Sequence, residues 1–96
     1  MVVVRHLVWN PWNVAHIARH QVTPNEVEEV RKQPYLTRPS YKNRFAITGQ
    51  ASSGRMLTVV IDPQQKRGLF FPVTARSASR KERELYQKHI GGGEHK

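Results

Sequence analysis

The feature that most restricts the fold is a series of three apolar segments joined by short polar turns in the second half of the chain. The segments cover residues 44–48, 55–62 and 69–74, and the turns cover residues 49–54 and 62–68. Segments rich in Val, Ile and Phe that are bounded by Gly, Pro and Ser are typical of β-strands. Because short turns join neighbouring strands that run in opposite directions, the sequence predicts an antiparallel meander.

Three helix-start signals lie outside this meander. Asn10-Pro11 combines a capping residue with proline at the first helical position, which predicts a helix from residue 11 to about residue 20. Capping boxes at residues 23–26 and 79–82 predict two further helices, of which the first ends at Pro34 and the second near His89. The Val-rich opening at residues 2–9 indicates a strand, and the segment around Pro34 and Pro39 is expected to be a linker.

The predicted order is therefore strand, helix, helix, three strands, helix. This is an α+β fold with a three- to four-stranded antiparallel sheet and helices packed mainly on one of its faces. We expect residues 1–90 to form one domain and residues 91–96, which are rich in glycine, to form a disordered tail.

The charge of the chain points to an anionic partner. Sixteen Lys and Arg residues face seven Asp and Glu residues, for a net charge of +9, and Asp62 is the only acid between Val30 and Arg80. A domain so charged attracts polyanions such as RNA. Solubility alone is the alternative explanation, although a modest charge of either sign would serve that purpose.

Composition excludes several other classes of protein. The chain has no cysteine, which rules out disulfides, thiolate metal sites and a cysteine nucleophile. No apolar run reaches the ~20 residues that span a bilayer, and residues 1–4 are too few for a signal peptide. We expect a cytoplasmic protein that does not bind a membrane and holds no metal or cofactor.

Several short segments of the chain together carry a family resemblance. They begin with the opening Leu7-Val8-Trp9-Asn10 and the segment from His16 to Pro24. The later strands and closing helix contribute Arg44-Phe45-Ala46-Ile47-Thr48-Gly49, Gly54-Arg55-Met56-Leu57-Thr58-Val59-Val60, and Thr74-Ala75-Arg76-Ser77-Ala78-Ser79-Arg80-Lys81-Glu82-Arg83 with Tyr86. In their order and spacing, these segments resemble the BrnT-type toxins of type II toxin–antitoxin systems, and the resemblance covers about residues 7 to 88.

The resemblance implies a fold similar to RelE-type ribonucleases, cleavage of RNA without metal, and an antitoxin partner, expected to be a small ribbon-helix-helix protein. Asn10, Asn13 and Asn43 stand at or near positions where the family has an acid, a lysine and a second acid, and Gln21 replaces a glycine. These departures favour two alternatives to the enzyme: a non-catalytic basic module that binds nucleic acid or a protein partner, and a degenerate toxin that acts as a corepressor. An exposed edge strand could also pair two copies into a homodimer.

Arg55 and Arg76 are the main catalytic candidates. They lie at the ends of neighbouring predicted strands, so both guanidinium groups could reach one phosphate, which suits the planar fork of arginine. The simpler interpretation is that each is an exposed strand-end arginine paired with solvent or with Asp62.

His20 is the third catalytic candidate. It shares a helix face with His16 four residues earlier, and histidine readily exchanges a proton near neutral pH. A metal site would need further ligands. The simpler interpretation is a histidine at a helix C-terminus that caps the last carbonyl groups.

Six further residues are expected to bind nucleic acid. Basic side chains contact phosphates and tyrosines offer rings for base stacking. They are Tyr41, Lys42, Arg44, Arg80, Arg83 and Tyr86. A half-buried tyrosine packed on the sheet is the competing interpretation for Tyr86, and we expect Trp9 and Trp12 to lie in the core.

Overall fold

The structure, a computed structural model, describes residues 2–91, which form five strands and three helices. They are β1 His6–Leu7, α1 Pro11–Ala18, α2 Pro24–Lys32, β2 Tyr35–Pro39, β3 Phe45–Gln50, β4 Met56–Pro63, β5 Leu69–Ser77 and α3 Arg80–Tyr86. A 3-10 turn covers Tyr41–Asn43, and a π-helical turn, Gln87–Gly91, follows α3. The predicted α+β class is confirmed. Of the predicted tail, residues 92–96 lie outside the described residues.

The sheet has the strand order β1-β5-β4-β3-β2, so it contains five strands rather than three to four. The predicted meander is confirmed, because β3, β4 and β5 pair antiparallel in sequence. The predicted linker is wrong, because Tyr35–Pro39 pairs with β3 as an edge strand. Proline is tolerated at a sheet edge, where its missing N–H breaks no ladder.

The opening strand is shorter than predicted: His6 and Leu7 pair parallel to β5, and the adjacent Val8 N–H donates to Phe70 O. Beyond β1, helix α1 packs against the edge of β5 that faces away from β4. The side-chain amide of the buried Asn13 donates to Val8 O at 2.9 Å and to Pro72 O at 3.1 Å. The polar groups at this edge are thereby satisfied by a helix side chain instead of a strand.

The hydrophobic core lies between helices α1 and α2 and one face of the sheet. Fully buried side chains from both layers form it: Ile17, Val27, Val30, Ile47, Leu57, Val59 and Ile61. Each such burial contributes roughly 1.5–3 kcal/mol. A Cβ on Gly49 would lie 3.1 Å from Val30 Cγ1, which shows how closely α2 approaches β3.

Helices α2 and α3 begin at the predicted capping boxes. Thr23 Oγ1 accepts from Glu26 N at 3.2 Å, and Ser79 Oγ accepts from Glu82 N at 3.2 Å. Each glutamate accepts in return from the N–H of its capping residue. The expectation that the helices lie mainly on one face holds only for α1 and α2. Helix α3 places Glu82 against Thr58, whose side chain alternates with the core residues Leu57 and Val59 and therefore points to the opposite face.

No helix within residues 2–91 combines the length and apolar character needed to cross a membrane.

Candidate nucleic-acid interface

Two arginines from widely separated strands of the sheet contact the same carboxylate on α3. Arg76 Nη1 and Nη2 donate to Glu82 Oε1 and Oε2 at 2.8 and 2.9 Å, and Arg38 Nη2 donates to Glu82 Oε2 at 2.9 Å. Arg76 lies on β5 and Arg38 on β2, and these strands are separated by β4 and β3. The Glu82 side chain is only 9 % exposed. The carboxylate therefore fixes both guanidinium groups on the α3 face of the sheet.

Hydroxyl groups complete the surroundings of Glu82. Thr58 Oγ1 donates to Glu82 Oε1 at 2.9 Å and lies 2.8 Å from Thr48 Oγ1, and both threonines are buried. The hydrogen bonds from Arg76 outweigh burial and hold the pKa of Glu82 far below the usual glutamate range, and the same bonds raise the pKa of Arg76. Glu82 is thus a permanent anion near neutral pH and a poor proton acceptor.

Arg76 keeps binding capacity despite this pairing. Its described contacts use three donors, two to Glu82 and one from Nη1 to Ser77 O at 3.2 Å. A guanidinium has five N–H donors, so Nε and one Nη2 hydrogen remain. The side chain is 45 % exposed. Arg76 can therefore bind an anion from solvent while Glu82 holds its orientation.

Arg55 is committed to the protein instead. Nη1 donates to Gln21 O at 2.6 Å and contacts the Glu26 carboxylate at 3.3 Å, and Nη2 donates to His20 O at 3.2 Å and to Ser77 Oγ at 3.3 Å. These contacts use all four Nη hydrogens. Arg55 fastens the α1–α2 loop to the end of the sheet, which the sequence did not indicate.

Gln21, whose carbonyl Arg55 contacts, has a strained backbone conformation. Its φ is 56°, in the left-handed region that glycine adopts at little cost and that other residues adopt with strain. The bond from Arg55 to the Gln21 carbonyl holds the strained residue in place.

Ser77 contacts both arginines, through two different atoms. Its hydroxyl accepts from Arg55 and its carbonyl accepts from Arg76. His20 joins them through its carbonyl, while its side chain is exposed and has no hydrogen bond among residues 2–91. We call this group, His20, Arg55, Arg76 and Ser77, the β5–α3 corner. Of the three predicted catalytic residues, Arg55 and Arg76 share contacts with Ser77, whereas His20 contributes only its carbonyl, to Arg55. The Nη groups of Arg55 face backbone carbonyls, Ser77 and Glu26.

The basic residues of α3 extend this corner. Arg80 is 88 % exposed and makes only a loose ion pair with Glu84, at 3.6 Å. Arg83 is exposed and donates to Ala78 O at 3.0 Å, which turns it back toward the end of β5. Both predicted arginine contacts of α3 are thus exposed on the helix that carries Glu82, with donors to spare.

The remaining predicted contacts lie at the other end of the sheet. Arg44 pairs with Asp62 at 3.7 Å and its guanidinium carbon lies 5.1 Å from the Tyr41 ring centroid, and Lys42 is exposed beside them. Asp62 and Arg55 stand at opposite ends of β4, roughly 20–25 Å apart at the usual rise per residue. A ligand contacting both Arg44 and the β5–α3 corner would have to extend along the strand direction.

Two aromatic expectations differ from the structure. Tyr86 is 8 % exposed, so no base can stack on its ring, and the interpretation of Tyr86 as a packed residue is the better one. It lines a pocket of about 260 Å³ whose other walls are Gln33, Pro34, Gln50, Ala51 and Ser52, without a charged side chain. Trp12, expected in the core, is 55 % exposed, whereas Trp9 is half-buried against the core and donates to Glu28 at 2.9 Å.

Asn10 and Asn13, where the sequence departs from the BrnT-type pattern, have structural roles. Each side-chain oxygen accepts from the backbone N–H of the other at 3.0 Å. Asn13 is fully buried, so a substrate cannot reach its side chain.

The surface is positively charged because the few acidic side chains are already paired within the protein, while many basic side chains are not. Every carboxylate described has a partner, whether an arginine, a backbone N–H or both. Nine Lys and Arg residues make no ion pair within the described part of the chain: Arg5, Arg19, Lys32, Lys42, Lys66, Arg67, Lys81, Arg83 and Lys88. No group of three His, Asp or Glu side chains is placed to hold a metal ion among residues 2–91.

No protein-family model matches the chain, and no curated protein matches it significantly.

Proposed function

We propose that the protein binds single-stranded RNA at the β5–α3 corner and cleaves it without metal, as a divergent BrnT-like toxin. The observation that carries the proposal is Arg76, which is held in a two-point contact by the buried Glu82 and still offers two N–H donors to solvent. A fixed, half-exposed guanidinium matches the oxygen atoms of a phosphate. Arg80 and Arg83 supply further cations beside it.

The chemistry is an internal transesterification. The 2′-oxygen forms a bond to the adjacent phosphorus as its proton leaves, and the bond from phosphorus to the 5′-oxygen breaks as that oxygen gains a proton. The products carry a 2′,3′-cyclic phosphate and a 5′-hydroxyl. Arg76 stabilises the extra negative charge of the pentacoordinate intermediate, an effect worth a few kcal/mol at comparable sites.

His20 is the residue proposed to move the protons. Its imidazole takes the 2′-hydroxyl proton and then returns a proton to the leaving 5′-oxygen. Glu82 does not compete for this role, because Arg76 keeps its pKa low. Arg55 acts as a positioning residue, since it holds the His20 carbonyl.

The proposal also includes a protein partner and a location. The unpaired cations would attract an acidic surface, as an antitoxin of the ribbon-helix-helix type would provide when it covers the corner. A toxin that cleaves cellular RNA acts in the cytoplasm.

Incubation of a long single-stranded RNA with the protein in EDTA tests the enzyme. We expect fragments that end in 2′,3′-cyclic phosphate, a rate at least about 100-fold lower for Arg76→Ala, consistent with loss of one charge-stabilising group, and a similar loss for His20→Ala. Arg5→Ala, which removes a cation near the turn at Gly68, is the matched control and should cleave normally.

A non-catalytic RNA-binding module is the second candidate. The burial of Asn13 at the place of the family's lysine and the low pKa of Glu82 favour it, because both remove groups that could transfer a proton. Binding of the RNA that weakens with salt, without any fragments, would select this candidate over the enzyme.

A further inference from the structure

Three aromatic rings form a column on the surface beside α1. The Trp12 and His16 ring centroids lie 4.9 Å apart with an interplanar angle of 11°, and the Trp12 and Phe71 centroids lie 6.0 Å apart with an angle of 26°. We call Phe71, Trp12 and His16 the aromatic column. Trp12 remains 55 % exposed within it, and the other two rings are half-buried.

The fold holds this column in place. Trp12 and His16 stand one turn apart on α1, so their side chains lie on the same side of the helix. The buried Asn13, next to Trp12, donates to the carbonyl of Pro72, next to Phe71. This bond fixes the start of α1 against β5 and sets Trp12 over Phe71. The rings are thus presented in a fixed geometry and are not loose surface side chains.

The column leads toward the β5–α3 corner. Arg19 and His20 follow His16 on the next turn, and both are exposed. Helix α1 contains no acid, and its eight residues span roughly 12 Å. An anionic chain that stacked on the rings would meet Arg19 and then the corner, where Arg55 holds the His20 carbonyl.

We propose that the aromatic column stacks the unpaired bases of the RNA whose phosphate binds at the β5–α3 corner. The inference rests on the proposed function and adds how that single-stranded RNA is recognised: by the faces of its bases and not by their hydrogen-bonding edges. Flat rings beside cations are the common means of binding single strands without sequence preference. A duplex keeps its bases stacked internally and would not use the column.

The test measures the affinity for two uncleavable oligonucleotides with equal numbers of phosphates. One is a 2′-O-methyl adenosine hexamer, and the other is the same hexamer without bases. We expect the wild type to bind the first about five- to hundredfold more tightly, the worth of stacking one base. Trp12→Ala should lose most of this preference and leave the affinity for the abasic hexamer unchanged, whereas Trp12→Phe should keep most of it.

Val14→Ala is the matched control, because it removes exposed apolar surface from the same helix without removing a ring. It should keep the preference for the hexamer that carries bases. Thermal unfolding of each variant establishes that the fold is intact.

The outcomes separate this inference from the proposed function. If Trp12→Ala keeps the full preference for the hexamer with bases while Arg76→Ala lowers the affinity for both hexamers, RNA binds at the corner and the column does not stack bases. If the wild type binds neither hexamer at low salt, the proposed RNA binding fails and the base-stacking role fails with it. A preference lost in Val14→Ala as well as in Trp12→Ala would also contradict stacking.

Discussion

Arg76 is joined to Glu82 by two parallel hydrogen bonds of 2.8 and 2.9 Å, one to each carboxylate oxygen. The pair connects the last strand to the first turn of the last helix. Arg38, on the far edge of the sheet, contacts the same carboxylate. One anion therefore ties together three elements and orients the arginine on which the proposed function depends.

Glu82→Gln should destabilise the fold by about 1.5–3 kcal/mol, the range for hydrogen bonds to charged groups. The amide nitrogen would face one of the arginines, so a donor would meet a donor. Glu84→Gln is the control, because Glu84 is 69 % exposed and pairs loosely with Arg80, which predicts a change of less than about 1 kcal/mol. Urea unfolding of both variants measures the difference in their free energies of unfolding. Equal losses in the two variants would contradict the proposed stabilising role of Glu82.

The stability of the protein should depend on pH through the same carboxylate. The pKa of Glu82 is lower in the folded chain than in the unfolded chain, so its stabilisation is complete above the ordinary glutamate value of about 4.3. The stabilisation is lost as the pH falls below that value toward the folded-state pKa. Urea midpoints measured from pH 6 to pH 2.5 should fall more steeply for the wild type than for Glu82→Gln. Parallel curves would show that other carboxylates dominate acid unfolding.

The sequence predicts those parts of the fold that depend on neighbouring residues. The starts of all three helices were predictable because Asn10, Thr23 and Ser79 cap the residues directly after them. The edge strand β2 was not predictable, because Pro34 and Pro39 indicate a linker. This segment becomes a strand through its hydrogen bonds with β3, which lies later in the chain. The short β1 depends likewise on α1 occupying the edge of β5.

Arg55→Ala should act on stability before it acts on RNA. Its guanidinium contacts two carbonyl groups and Glu26, so we expect a loss of about 1–3 kcal/mol in unfolding free energy from these charge-assisted bonds. The half-exposed Arg76 serves as the comparison, because Arg76→Ala should affect RNA binding far more strongly at temperatures where both variants are folded. RNA affinities measured well below each melting temperature distinguish the two roles, and a normally stable Arg55→Ala with no RNA affinity would refute the assignment.

Gln21→Gly should stabilise the protein by about 0.5–1 kcal/mol. A φ of 56° strains any residue that carries a Cβ, whereas glycine adopts it freely. The strain that glycine relieves exceeds the entropy that glycine loses on folding. Gln33→Gly is the matched control, since Gln33 also follows a helix but has a φ of −103°. Thermal unfolding should show a higher Tm for the first variant and a lower or unchanged Tm for the second. The reverse order would contradict the strain at Gln21.

The candidate site was predictable in its residue types but not in its connections. Arg76, Arg80 and Arg83 stand out from charge and position alone. Glu82 stands out only as a helix cap, because its contacts with Arg38 and Thr58 cross the sheet and leave no local pattern. Trp12 was expected to be buried, as large aromatic residues usually are, and its exposure follows from the way Asn13 docks α1 at the sheet edge.

The most direct test of the central claim follows the arginine side chains by NMR while an uncleavable 2′-O-methyl RNA hexamer is added at low salt. We expect a saturable shift of the Arg76 Nε–Hε signal, because that donor has no partner among residues 2–91, with little change for Arg5, which lies at the other end of β5. Shifts confined to Arg5 and Arg67, with Arg76 unmoved, would show that RNA binds elsewhere and that Arg76 is not the phosphate-binding residue.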